Sequence, residues 1–297
     1  MLRPIGGAEE KTSDCPALPN RRRTSFASAT AGIDLRQRAT STEVNDSTAA
    51  TFVMQLRDRT VADYAIVNLG AGDQWLTSRL YIMAVVFARM KGLGAFVFLG
   101  RSENGRRYLG WADPNRVRWA LGRKYPWLES AYAAAYASVL TTQPVAVTSA
   151  TGRVGYVYNP DDPQPSIDLL RAFLEGIQWP QQPGAALPGL LPVAPPAPGA
   201  SDWVEINAQT ETWEHASWVT AALLEEILGD DLHFSQVRWE MLQERRQPDQ
   251  VRLVLAEHGQ YVAVTENELR FRYLVDRTRL LEQVADAIQG ERSGAAT

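Results

Sequence analysis

The chain has 297 residues, of which 45% are hydrophobic and 22% are charged, and its formal net charge is −4. These values are typical of a soluble globular protein with room for two domains of ordinary size. The single cysteine, Cys15, excludes an intramolecular disulfide framework and favours a reducing compartment. No apolar run approaches the roughly 18 residues that span a bilayer, and no secretory h-region opens the chain. We therefore expect a cytoplasmic protein with no membrane partner.

The N-terminal residues 1–47 are polar and carry no periodic apolar pattern. Such a segment buries too little surface to offset its ordering entropy, so we predict a disordered tail. The first domain, over 48–179, begins with a short amphipathic helix over 49–58. The apolar run from Tyr64 to Leu69 follows, and it predicts a strand that is buried on both faces.

A glycine turn leads from this strand to a long helix, which we expect to run from about Gln74 to Lys91 with Asp73 as its N-cap. A second strand follows over Ala95–Leu99, and Asn104-Gly105 favours a tight turn to a strand at 107–111. Asp113-Pro114 starts the next helix. Further helices over 131–140 and 166–178, with a β-like stretch over 145–158 between them, complete the domain.

Residues 180–201 contain seven prolines and predict a semi-rigid linker. The second domain follows over 202–290, and 291–297 form a short disordered tail. Its elements are predicted as strands at 203–206, 261–264 and 269–275 and helices at 216–228, 248–257 and 278–288. The fold class is therefore α/β, with two domains that each contain a small sheet of three or more strands packed with helices, joined by a Pro-rich linker.

Both domains contain a helix, a strand, a turn, a strand and a helix in the same order, at about 75–122 and 248–288. Arg107-Tyr108-Leu109 precedes Asp113 in the first unit, and Arg272-Tyr273-Leu274 precedes Asp276 in the second. This layout resembles half of a cystathionine-β-synthase-type (CBS) regulatory module. The resemblance implies an adenine-nucleotide-sensing domain in which the modules pair. Members of that family have a ribose-binding Asp three residues after the end of the second strand. This chain has Arg116 and Arg279 at the matching positions, which puts ribose recognition by that Asp in doubt.

The turn Gly70-Ala71-Gly72-Asp73 lies between a strand and a helix, where backbone N–H groups and a helix N-terminus favour an anion. A Rossmann-like enzyme would use this turn, with Arg101 after the next strand meeting a 2′-phosphate. Trp75 stands where the dinucleotide fingerprint needs a third glycine. A purely structural turn is the other interpretation.

Residues 101–127 contain seven basic and two acidic residues interleaved with aromatic ones. Arginine combined with aromatic faces is typical of surfaces that bind nucleotides or other anions. The predicted ligand-binding residues are Gly70, Gly72, Asp73, Arg101, Arg107, Trp111 and Arg116. The alternative interpretation is that Trp111 and its neighbouring tryptophans belong to a hydrophobic core.

The two predicted domains differ in charge. Residues 51–179 contain 14 basic and 10 acidic residues, whereas 202–297 contain nine basic and 18 acidic ones. An acidic second domain favours a protein partner or self-association, with a solvated acidic surface as the alternative. The pattern does not predict specific nucleic-acid binding.

No catalytic signature occurs in the chain. The sequence contains no GxSxG, GxxxxGK[ST] or HExxH motif, and His215, His233 and His258 have no metal-ligand spacing. We therefore predict no catalytic residues and no metal site, and the sequence identifies no cofactor. The hypothesis is a non-enzymatic regulatory or scaffold protein that senses a ligand; the alternative is the Rossmann-like enzyme using NADP or another nucleotide.

Overall fold

The structure, a computed structural model, describes residues 26–33, 35, 39–44, 62–70, 75–88, 93–103, 105–142, 146–148, 154–156, 164–181, 194–197 and 199–294. The predicted helix over 49–58 and the turn residues Gly72 and Asp73 lie outside these residues. Asn104 and most of the predicted linker lie outside them as well.

The described chain contains both helices and strands, interspersed along the sequence. The helices are α1 (Phe26–Thr30), α2 (Thr77–Phe87), α3 (Pro114–Lys124), α4 (Trp127–Thr142), α5 (Gln164–Gly176), α6 (Ala221–Leu228), α7 (Trp239–Gln243), α8 (Gln247–Ala256) and α9 (Arg277–Gly294). The strands are β1 (Ser41–Val44), β2 (Tyr64–Gly70), β3 (Ala95–Ser102), β4 (Gly105–Ala112), β5 (Ala146–Thr148), β6 (Val154–Tyr156), β7 (Gln178–Trp179), β8 (Trp203–Asn207), β9 (Thr212–His215), β10 (Gln236–Arg238), β11 (Tyr261–Thr265) and β12 (Phe271–Asp276).

The largest sheet has the strand order β1-β2-β3-β4. Its first three strands are parallel, and β4 returns antiparallel to β3. The crossover from β2 to β3 passes through α2, which is buried along nearly its whole length. A helix that is apolar all round must lie inside the protein. Helices α3 and α5 pack against α2, and this side of the sheet carries the largest hydrophobic cluster.

A second sheet has the order β10-β11-β12 and repeats the directions of β2, β3 and β4. Helices α7, α8 and α9 belong to it, and its core on the helix side includes Val251, Val262 and Leu280. Two smaller sheets, β7-β9-β8 and the hairpin β5-β6, complete the described strands. The mixed α/β fold class is therefore confirmed.

The two larger sheets meet face to face. A buried cluster joins Val97 and Trp111 of the first sheet to Tyr261 and Leu274 of the second. The indole N–H of Trp111 donates to the carbonyl oxygen of Tyr261 at 3.0 Å, and the Leu274 amide donates to the Tyr64 hydroxyl at 3.3 Å. The repeated units thus share a core and are bonded through polar groups that are themselves buried.

Strand pairing in the structure aligns the two repeated units with an offset of two residues from the alignment of their Arg-Tyr-Leu triplets. Val97 pairs with Trp111 in the first sheet, and Ala263 pairs with Leu274 in the second. Trp111 lies two residues before Asp113, and Leu274 lies two residues before Asp276. Trp111 therefore corresponds to Leu274. The matched Arg-Tyr-Leu triplets are not equivalent, because the first ends four residues before Asp113 and the second ends two residues before Asp276. Both hairpins contain a bulge at the equivalent place, after Phe98 and after Val264.

Packing also crosses the predicted linker. Residues of α6 belong to the largest cluster, on the first sheet, and Leu76 bridges to Trp218. Arg79 forms an ion pair with Glu214 at 3.0 Å. The division into two domains stays a prediction, but the stretch that contains β8, β9 and α6 packs with helices of the first sheet.

Three predicted boundaries need correction. Inside the predicted tail 1–47, α1 packs against α8 and α9, and β1 pairs with β2. Inside the predicted tail 291–297, α9 continues to Gly294. Helix α2 begins at Thr77, later than predicted, with Leu76 as its N-cap. Among the helices that the structure describes, none is long and apolar enough to cross a membrane.

Candidate functional site

The predicted site residues that are described fall into three places. Gly70, Arg101 and Arg107 lie at one end of the first sheet, Trp111 lies between the two sheets, and Arg116 lies on α3. The sheet end is the only one of these places where several of them meet in the described structure.

A row of residues crosses the first sheet at this end. Gly70 pairs with Gly100, and Gly100 pairs with Arg107. The φ angle of Gly70 is +38°, which favours glycine, and its amide N–H donates to the Asn68 side chain at 2.9 Å. The chain therefore turns sharply where β2 ends, beside the arginines of the β3–β4 hairpin.

Four arginines occupy neighbouring backbone positions here, as two pairs on adjacent chain segments. Arg101 lies opposite Arg106 in the hairpin, and Arg107 forms an antiparallel bridge with Arg270 from the start of β12. We call Arg101, Arg106, Arg107 and Arg270 the arginine edge. Like charges placed directly opposite each other on neighbouring strands destabilise a sheet. This arrangement therefore costs free energy that a bound anion would offset.

Acidic side chains neutralise part of the arginine edge. Arg106 pairs with Glu43 at 2.8 Å, and Arg270 pairs with Glu266 at 3.7 Å. Glu103 lies exposed in the hairpin. Within the described part of the chain, Arg101 and Arg107 make no ion pair, and both are exposed. These two side chains are the ones available to an anion.

A small cleft of about 270 Å³ adjoins the arginine edge. Arg107 lies at the cleft, Phe234 lines it, and Glu225 supplies an acceptor. The Tyr108 ring is fully buried behind Phe234, with centroids 5.3 Å apart. Burial raises the pKa of the Tyr108 phenol, so it stays neutral, and its hydroxyl donates to the carbonyl of His233 at 3.3 Å. Phe234 is 48% exposed, which leaves one face of its ring open.

Trp111 is not a surface residue. It is 4% exposed, its indole N–H is bonded to the Tyr261 carbonyl, and its ring contacts that of His233 at 4.4 Å. It also exchanges two backbone hydrogen bonds with His233. The tryptophan therefore holds the two sheets together, as the alternative core interpretation had it.

Arg116 lies apart from the arginine edge. Asp113 caps α3 by accepting from the amides of Asn115 and Arg116, and the Arg116 guanidinium lies 3.7 Å from Asp231. It also stacks over the Trp119 ring at 5.4 Å. The same cap recurs in the second unit, where Asp276 accepts from the amides that begin α9. At both positions the Asp serves as a helix cap.

The first turn of α2 is already occupied by backbone from the second half of the chain. The Thr77 amide donates to the carbonyl of Ser217 at 2.9 Å, and the Val219 amide donates to the carbonyl of Trp75 at 2.8 Å. The helix N-terminus that would receive an anion at the glycine turn is thus partly covered by residues 217–219. Sequence reasoning gave no indication of this contact, because the partners are about 140 residues apart.

His215 and His233 pack against aromatic rings, and His258 is exposed. His215 stacks between Trp127 and Trp203, with centroid distances of 3.9 and 5.0 Å, and its Nε2 lies 3.1 Å from Asp202. Burial lowers the pKa of His215, and the nearby Asp202 carboxylate opposes that shift. In the described residues, no group of three or more His, Cys, Asp or Glu side chains is arranged to hold a metal ion.

Sequence reasoning missed two members of the arginine edge, Arg106 and Arg270. Arg106 was within the basic stretch 101–127 and adjoins Arg107, so that stretch was the available signal. Nothing local marks Arg270, because its place beside Arg107 follows from the meeting of the two sheets. No protein-family model, curated protein or solved structure matches the chain.

Proposed function

We propose that this is a non-enzymatic ligand-sensing protein that binds a nucleotide or another phosphate-bearing anion at the arginine edge. The observation that carries the proposal is that arginine lies opposite arginine in two backbone pairings, Arg101 with Arg106 and Arg107 with Arg270. An anion placed between them relieves repulsion and gains charge-assisted hydrogen bonds. The guanidinium is suited to this because it binds phosphate oxygens in a bidentate manner.

The neighbouring cleft supports a ligand that carries a ring as well as a phosphate. Phosphate at Arg107 would leave a planar group within reach of the exposed Phe234 ring, and Glu225 would accept from an amino group. Aromatic stacking of a base contributes about 1–3 kcal/mol. The ligand would contact residues from both units, since Arg270 directly precedes β12 of the second sheet.

The test is equilibrium binding of pyrophosphate, AMP and ATP, measured by calorimetry at two salt concentrations. Arg101→Ala and Arg107→Ala should each weaken binding at least tenfold, because each removes a charged donor worth about 1.5–3 kcal/mol. Arg171→Ala is the matched control, since Arg171 is an exposed arginine on α5. Absence of binding, or equal affinity in all three variants, refutes the proposal. Binding of a single-stranded oligonucleotide alone would also contradict a small-ligand sensor.

A Rossmann-like NADP- or nucleotide-dependent enzyme has less support. The parallel crossover from β2 through α2 to β3 favours it, as does the turn at Gly70. Against it, β4 runs antiparallel to β3, and residues 217–219 cover part of the α2 N-terminus. The enzyme hypothesis predicts that NADP raises the melting temperature of wild type and that Gly70→Val abolishes the effect. An unchanged melting temperature at millimolar NADP rejects it.

The acidic second half supports an additional role in protein interaction. Its 18 acidic residues against nine basic ones favour a basic partner or the more basic first half of another copy. Light scattering after size-exclusion chromatography tests self-association. A mass that falls from dimer to monomer as salt is raised supports it, and a monomer at every salt concentration rejects it.

A further inference from the structure

A larger cavity, of about 460 Å³, lies on the helix-covered face of the second sheet. Its volume is within the range of about 300–1,000 Å³ that small-molecule sites occupy. Tyr273 lines it, and the next residue, Leu274, belongs to the cluster between the two sheets. Successive residues of a strand point to opposite faces. The cavity is therefore separate from the arginine edge.

One wall of the cavity comes from the N-terminal segment, the described parts of 26–44, which we call the strap. Ile33 and Leu35 of the strap face the cavity, and Gln247 of α8 donates a hydrogen bond to the Ile33 carbonyl. At its start, Phe26 lies under the Arg252 guanidinium at 4.9 Å. At its end, β1 joins the first sheet. The strap thus connects the cavity wall to the sheet that carries the arginine edge.

Three of the other lining residues, Trp239, Leu242 and Tyr273, are apolar or aromatic. Leu242 is buried, and the rings of Trp239 and Tyr273 meet edge to face with centroids 6.3 Å apart. The described lining residues include no charged side chain. An unpaired charge that enters such a site loses its hydration without compensation, so a neutral ligand is favoured. The Arg272 guanidinium lies over the Trp239 ring at 4.4 Å, so it covers one face of that ring. A planar ligand that stacks on a ring here would use the Tyr273 ring or the other face of Trp239.

Three glutamines supply the polar part of the lining. Gln243, Gln247 and Gln250 all border the cavity. The amide nitrogen of Gln250 donates to the Leu242 carbonyl at 2.7 Å, and that of Gln247 donates to the Ile33 carbonyl. In both side chains the described bonds use the NH₂ group, which leaves the amide oxygen as an acceptor. A ligand with an N–H or O–H donor complements these oxygens.

We propose that this cavity binds a small neutral molecule with a planar ring and an N–H or O–H donor, held between the strap and α7, α8 and β12. Such a ligand joins the strap to the second sheet. Its binding therefore stabilises the strap along a path that ends in β1, beside β2 of the first sheet. The cavity is a second site, and it differs from the anion site in charge and in place.

Indole, toluene and benzoate are suitable probes, because they carry a ring with a donor, a ring without one and a ring with a negative charge. Affinity is measured by calorimetry on the full chain. Indole should bind at least fivefold tighter than toluene, which corresponds to about one hydrogen bond, and benzoate should bind more weakly than both. Indole should also slow amide hydrogen exchange in residues 26–35. Benzoate binding as tightly as indole, or no saturable binding of indole, overturns the proposal.

Substitutions of lining residues test whether indole binds in this cavity. Gln243→Trp fills the cavity from its exposed rim and should weaken indole binding at least tenfold, and Gln247→Met removes one acceptor and should weaken it about fivefold. Gln260→Trp is the matched control, since Gln260 is exposed and does not line the cavity. Thermal melts confirm that each variant folds. If indole binds Gln243→Trp and Gln260→Trp equally, the cavity is not its site.

Discussion

A buried ion pair holds the first turn of α2 to β9, and replacing Arg79 by methionine tests its contribution to stability. The Glu214 side chain is fully buried and accepts three hydrogen bonds from the Arg79 guanidinium, at 3.0–3.2 Å, and one from the Ser78 hydroxyl at 2.5 Å. In Arg79→Met the carboxylate keeps the bond from Ser78 but loses its counter-charge. The variant thus leaves a charge in a site from which water is excluded.

The expected cost is large for a single substitution. At 3.0 Å and an effective dielectric constant of about 20, the attraction between the two charges is about 5 kcal/mol before desolvation is counted. Breaking a buried pair by removing one partner costs about 3–5 kcal/mol. Replacing both partners with apolar residues removes the desolvation penalty as well. Arg79→Met combined with Glu214→Leu should therefore cost less than Arg79→Met alone.

Urea unfolding followed by circular dichroism measures the free energy of unfolding for wild type, both single variants and the double variant. Arg171→Met is the control, because it removes an exposed arginine from α5 and should change stability by less than about 0.5 kcal/mol. The double-mutant cycle should give a coupling energy above about 1 kcal/mol. A cost below about 1 kcal/mol for Arg79→Met, or additive effects in the double variant, would refute this reasoning.

Three further predictions concern buried groups. Trp111→Phe removes the indole N–H that donates to the Tyr261 carbonyl, and should lower the free energy of unfolding in urea by about 1–3 kcal/mol. Trp119→Phe, at a position that is 58% exposed, should leave it unchanged. Gly110→Ala should lower the melting temperature, because φ is +141° and the added Cβ would lie 2.9 Å from a leucine methyl; an unchanged melting temperature contradicts this. Burial lowers the pKa of His215 in the folded state, so the unfolded chain takes up a proton first as pH falls below about 6.5, and stability declines there. His215→Gln should flatten that part of the stability–pH profile, and an unchanged profile would show that His215 does not cause it.

Some residues of the candidate site could be predicted from the local sequence, and others could not. Arg101 and Arg107 were predicted because basic residues concentrate after a recognisable strand. Trp111 was placed with them because its neighbours in sequence are arginines. Its side chain instead packs in the cluster between the sheets together with Tyr108, because the bulge between these two residues shifts the alternation along β4. Arg270 could not be predicted, since it meets Arg107 only through a bridge between strands more than 160 residues apart.

Local pattern by itself determined the central elements. The apolar run at 64–69 and the Asp-Pro pair at 113–114 form the expected strand and helix start, because burial and capping depend on residues close together in the chain. Tertiary structure alone decided the rest. Residues 26–44 are ordered by helices and a sheet far along the chain, and Ser217 meets the first turn of α2 from beyond the Pro-rich stretch. Such contacts depend on which surfaces meet after the elements form, and no short window of sequence contains that information.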